Sequence, residues 1–73
     1  MEDPRAYVRI ADLLRQQITA GQVKAGEPVP SITTLTQDHG VARQTAAKAL
    51  RMLESEGLVY RVPGLGYYVT EHQ

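Results

Sequence analysis

The chain contains no cysteine, and its 73 residues carry no net charge at neutral pH. The missing cysteine excludes disulfides and thiolate metal sites and agrees with a reducing compartment. The two histidines, His39 and His72, are far apart in sequence and lack the spacing of a metal pair. No apolar run approaches the length of a membrane span. The start, Met1-Glu2-Asp3-Pro4, is acidic and does not read as a signal peptide, so the expected compartment is the cytoplasm. There is no nucleophile–base pair, paired carboxylate site, phosphate loop or metal cluster. An enzyme would lack the groups it needs, and no cofactor is expected.

What is present fits one domain, residues 1–73. A chain this short buries only about 60% of its unfolded surface, so modest stability is expected. Zero net charge argues against a strongly basic nucleic-acid binder. The distribution softens that objection. Between Gly40 and Arg61 stand four cations (Arg43, Lys48, Arg51, Arg61) and two anions (Glu54, Glu56). The span from Val41 to Leu53 has three of the cations and no acid. It forms a local positive patch, which predicts moderate affinity per subunit and a shallow salt dependence.

Asp3-Pro4 is a helix start, with Asp as cap and Pro at the first helical position. Tyr7, Ile10, Leu13, Leu14, Gln17 and Ile18 follow at helical spacing up to Gly21, which predicts a first helix over about residues 4–20. Its charged face (Arg5, Arg9, Asp12, Arg15, with Gln16) reads as solvated. Residues 22–30 hold too many breakers for a helix, and Val29 between two prolines can form at most a short edge strand. Ser31 caps a second helix over about 31–39, with Ile32 and Leu35 inward. Gly40 supplies the left-handed residue for a sharp turn. A third helix spans about 42–56, burying Ala46, Ala49, Leu50 and Leu53 and displaying Arg43, Gln44, Lys48 and Arg51. Two β-branched and aromatic runs flank Pro63-Gly64-Leu65-Gly66 and predict a hairpin over about 58–70. The fold class is α+β, mainly α: a winged helix-turn-helix, three helices followed by a two-stranded β-hairpin wing. A third helix that buries small residues and displays Arg, Gln and Lys suggests DNA recognition in a major groove.

The chain resembles the GntR family of bacterial transcription regulators, in its N-terminal winged-helix domain. The matching residues are Ile18-x-x-Gly21, Gly26-x-x-x-Pro30-Ser31, Leu35, Gly40-Val41-x-Arg43-x-Thr45, Ala49-Leu50-x-x-Leu53-x-x-Glu56-Gly57-Leu58-Val59 and Gly64-x-Gly66-x-Tyr68-Val69. They cover nearly the whole chain in order. The resemblance implies a repressor or activator that works as a homodimer on a short palindromic double-stranded DNA operator. Family members typically carry a larger C-terminal effector domain that binds a metabolite. Ile32 and Thr33 stand where the family often has Glu-Arg, Ala47 where a second arginine is usual, Ala42 where a small hydroxyl residue is common, and Lys48 where an acid is usual. The match supports the function class and not the usual operator sequence. Ala42 at the N-cap is expected to cost the third helix about 1 kcal/mol relative to Ser.

The expected DNA-binding residues are Ser31, Thr33, Thr34, Ala42, Arg43, Gln44, Thr45, Lys48, Gly64, Leu65 and Gly66. Arg43, in the first turn, can bond guanine O6 and N7, or a phosphate. Gln44 can read adenine or stand idle in solvent. Thr45 touches phosphate or a thymine methyl, or is a half-buried helix residue. Lys48 meets backbone or base, and Arg51 is a solvated charge or a distant phosphate partner. Ser31 caps the second helix, whose dipole favours a phosphate, and Thr33 and Thr34 add hydroxyl donors. Gly64 and Gly66 let the wing turn adopt positive φ and let its backbone approach the minor groove. Leu65, apolar at the wing tip, would touch sugars or another protein. Tyr60, Tyr67 and Tyr68 read as core or sheet-face residues. The competing reading is a winged-helix module that binds protein, supported by the neutral charge, Ala47, Leu65 and the absent arginines.

Overall fold

The computed structural model describes residues 3–71. The readings of Met1 and Glu2 as an acidic start and of His72 as an isolated histidine fall outside that range. Three helices, α1 (Ala6–Thr19), α2 (Ile32–His39) and α3 (Arg43–Ser55), precede two strands, β1 (Val59–Val62) and β2 (Gly66–Val69).

α1 begins at Ala6, two residues later than the Asp3-Pro4 signal suggests. The Asp3 carboxylate accepts the Arg5 backbone N–H at 2.8 Å, and the Asp3 carbonyl accepts that of Ala6 at 2.9 Å. Asp3 thus closes a turn ahead of the helix, which leaves Pro4 and Arg5 outside it. The buried face of α1 is Ala6, Ile10, Ala11 and Leu14, with Tyr7 and Ile18 packed at its edge. Leu13, expected inward, is 40% exposed. Helical spacing puts it about 100° from Leu14, at the edge of a stripe whose other edge holds the fully buried Ala11. Ala11, Ala46 and Ala49 have no exposed surface, so α1 can lie close along α3.

Ser31 and Gly40 bracket α2. The Ser31 Oγ accepts the Thr34 N–H at 3.1 Å, and Gly40 sits at φ +65°, where a side chain would be strained. The tight turn brings α2 onto α3. Leu14, Leu35, Leu50 and Leu53 form the centre of the core, and Val59 and Val69 extend it under the sheet.

β1 and β2 pair antiparallel with Val59 opposite Val69 and Val62 opposite Gly66, around the loop Pro63-Gly64-Leu65. A Thr70 N–H to Leu58 carbonyl bond at 2.9 Å continues the pairing past both strands. The connector joins the outer edge of β2: Val29 N–H donates to the Tyr67 carbonyl at 3.0 Å, and Val69 N–H to the Glu27 carbonyl at 2.9 Å. Flanking prolines keep this pairing to a single bridge, Pro28 opposite Tyr68.

Arg15 departs from the solvated-face reading. Its guanidinium grips the Glu56 carboxylate in a two-pronged pair, Nε to Oε1 at 2.8 Å and Nη2 to Oε2 at 2.7 Å, and also bonds Asp12. The pair pins α1 to the end of α3. It holds the Glu56 carboxyl below the usual glutamate range and raises the Arg15 guanidinium.

Candidate nucleic-acid interface

α3 separates its two faces cleanly. Ala46, Ala49, Leu50 and Leu53 are buried, while Arg43, Gln44, Lys48 and Arg51 are exposed. Ala42 is exposed at its N-cap, and Thr45 and Ala47 are half-buried at the margin. No acid lies within α3 before Glu54. Among the described residues, no ion pair involves Arg43, Lys48, Arg51 or Arg61. These charges stay available to an outside anion.

The two helix starts are coupled by side chains. Arg43 Nη1 donates to the Thr33 hydroxyl at 3.2 Å, which holds the guanidinium over the first turn of α2. Ser31 and Thr34 join in the cap itself, with the Ser31 hydroxyl donating to Thr34 Oγ1 at 3.0 Å. A groove of about 400 Å³ runs between these turns and the wing; Ser31, Thr33, Arg43, Arg61, Gly64 and Tyr67 line it. The structure therefore brings Ser31, Thr33, Arg43, Gly64 and Gly66 to one cleft. Gln44, Thr45 and Lys48 line a second groove of about 280 Å³, on the α1 side of α3, with Asp3, Pro4 and Tyr7. Leu65 lines neither groove and stands at the wing tip, 71% exposed.

Two residues join the site that sequence reasoning left out of it. Arg61, on β1, lines the first groove, and in the sequence it stands out only as one of the local cations. Tyr7, read as part of the α1 stripe, carries the Lys48 ammonium 4.2 Å from its ring centroid. No spacing rule could reveal a pair on two different helices. Tyr60 and Tyr68 stack as cross-strand neighbours, ring centroids 6.1 Å apart, and Tyr67 packs against the core. No cluster of His, Asp or Glu among the described residues can hold a metal. No described helix is long and apolar enough to cross a membrane.

The family model for bacterial regulatory proteins of the gntR family matches residues 6–69. The mannosyl-D-glycerate transport/metabolism system repressor MngR of Escherichia coli K12 is 37% identical over 67 residues, 92% of this chain and 28% of that protein. The repressor NagR of Bacillus subtilis strain 168 is 35% identical over 65 residues, 89% of this chain and 27% of that protein. The chain thus spans little more than a quarter of the length of these relatives. The crystal structure of AraR(DBD) in complex with operator ORR3 superposes with a TM-score of 0.86 at 32% identity, over 89% of this chain and 78% of that one. Sequence, fold and the exposed basic face of α3 agree: the chain belongs to the gntR family of bacterial regulatory proteins, as a winged helix-turn-helix DNA-binding domain.

Proposed function

We propose that this domain represses transcription by seating the first turns of α3 in the major groove of a double-stranded operator. Arg43 and Gln44 read base edges there. The N-terminus of α2, with Ser31, Thr33 and Thr34, faces a phosphate, and Ala42 and Thr45 complete the contact around the start of α3. The wing, with Gly64, Leu65 and Gly66, lies along the minor groove and its phosphates. Lys48 meets the backbone. The observation that carries this reading is the exposed, acid-free face from Arg43 to Arg51 beside a cleft shared with α2 and the wing. MngR and NagR are repressors, and AraR(DBD) is an operator-bound domain, which supports the same role here.

The protein works in the cytoplasm, as a regulator and not as a catalyst. It acts as a homodimer on a palindromic site, because one neutral domain with a small basic face gains little from phosphates alone. Selection of bound fragments from random duplex DNA tests this reading. The expected product is a recurrent motif with two inverted half-sites. A pool that stays random after repeated rounds contradicts sequence-specific binding, and a single unpaired half-site contradicts the dimer.

One observation favours a second reading, a wing that docks on protein: Leu65 is apolar and 71% exposed. Its test is binding to random duplex at low salt. Absence of binding at micromolar protein would support protein docking over DNA recognition.

A further inference from the structure

Building on the proposed DNA contact of α3, we propose that Tyr7 is a positioning residue for it: its ring holds the Lys48 ammonium on the α1 side of α3, oriented for a backbone phosphate of the duplex. Lys48 Nζ lies 4.2 Å from the Tyr7 ring centroid, inside the roughly 6 Å reach of a cation–π contact. The ring itself is fixed, since Tyr7 is half-buried and packs against the core. An exposed lysine otherwise spreads over many rotamers, and settling it on a phosphate costs side-chain entropy. A ring that has already narrowed those rotamers removes part of that cost.

The chemistry of the partner matters. A carboxylate beside Lys48 would orient the ammonium but also cancel its charge. A neutral ring orients it and leaves the charge for an outside anion. The one acid lining this groove, Asp3, is engaged elsewhere: Arg9 Nη1 donates to it at 3.1 Å and the Arg5 N–H at 2.8 Å. The Arg5 N–H, and after it Arg9, hold its carboxyl below the usual aspartate range, and Lys48 forms no ion pair among the described residues. Gln44 lines the same groove and precedes Lys48 by four residues, which puts both side chains on one side of α3.

The test uses a fluorescent duplex bearing a fragment that the protein selects from random DNA, with binding read by anisotropy. The proteins compared are the unaltered chain, Tyr7→Phe, Tyr7→Leu, Lys48→Met and the double variant Tyr7→Leu/Lys48→Met. Tyr7→Phe keeps the ring and should bind like the parent. Tyr7→Leu should weaken binding about two- to fivefold, a part of the lysine side-chain entropy that the ring no longer removes in advance. In the Lys48→Met background the same change should have no effect. Equal weakening in both backgrounds, or weakening by Tyr7→Phe as large as by Tyr7→Leu, overturns the proposal. A second measurement needs no variant: the Lys48 ε-methylene protons should resonate upfield of a free lysine through the Tyr7 ring current. Their absence from that position overturns the proposal even where DNA binds normally. A displaced resonance in a protein that binds no duplex would instead count against the DNA reading on which the proposal rests.

Discussion

Ala42 and Ser31 hold equivalent places one helix apart. Both are N-caps with extended backbone, φ −67° and ψ 155° at Ala42 and φ −71° and ψ 165° at Ser31. Ser31 bonds the Thr34 N–H, whereas α3 has no side-chain cap bond. Ala42→Ser should therefore stabilise the domain by about 1 kcal/mol, read from the midpoint of urea unfolding; an unchanged midpoint would mean the α3 start is already satisfied. Glu56 makes the other residue-scale prediction. Its side chain and that of Arg15 are 34% and 29% exposed, so solvent screens the pair and Glu56→Gln should cost only about 0.5–1 kcal/mol at pH 7. Arg15 holds the Glu56 carboxyl below its unfolded value. The contribution is then complete above the unfolded glutamate pKa, roughly pH 4, and fades as the pH falls through the lower folded value. The unfolding curves of parent and Glu56→Gln should converge in acid; a gap that stays constant from pH 7 to pH 2–3 would assign the loss to packing.

The helices and hairpin arise from signals that are local in sequence. Ser31 and Gly40 punctuate α2, and the spacing of Ala46, Ala49, Leu50 and Leu53 fixes the inner face of α3. What the chain does not spell out locally is contact between distant elements. Arg15 and Glu56 are 41 positions apart; in the sequence Arg15 reads as a solvated charge and Glu56 only as a local anion. Tyr7 reads as an ordinary stripe residue until α3 brings Lys48 over its ring. Likewise Val29 shows its β character only because β2 offers an open edge to it. The candidate site divides the same way: the α3 side chains and Thr33 are legible, whereas the Arg43–Thr33 bond, the Tyr7 ring under Lys48 and the place of Arg61 on the groove are set by packing. The wing gives a prediction at this scale. Gly64 sits at φ +81°, and a Cβ there meets no atom within 4 Å, so the penalty of a substitution is conformational. Gly64→Ala should destabilise the hairpin by about 1–2 kcal/mol, seen as a lower Tm, with β1 and β2 amides exchanging faster. A Tm equal to the parent's would mean the turn relaxes at no cost.

At the scale of the whole molecule, the charges cancel in sum and not in place. Asp3, Asp12 and Glu56 pair with Arg5, Arg9 and Arg15 around α1 and at the end of α3, while Arg43, Lys48, Arg51 and Arg61 form no ion pairs among the described residues. A neutral domain with one open basic face has shallow salt dependence, and each phosphate lost should be countable. Lys48→Ala should reduce the slope of log affinity against log salt by about one phosphate; an unaltered slope would leave Lys48 without a backbone contact. The proposed reading of DNA by the start of α3 is checked by the affinity of the parent and of folded Arg43→Ala for a selected duplex and for a random one, side by side at one salt concentration. Arg43→Ala should lose at least about 1 kcal/mol on the selected duplex and much less on the random one. Equal affinity of both proteins for the selected duplex would contradict it.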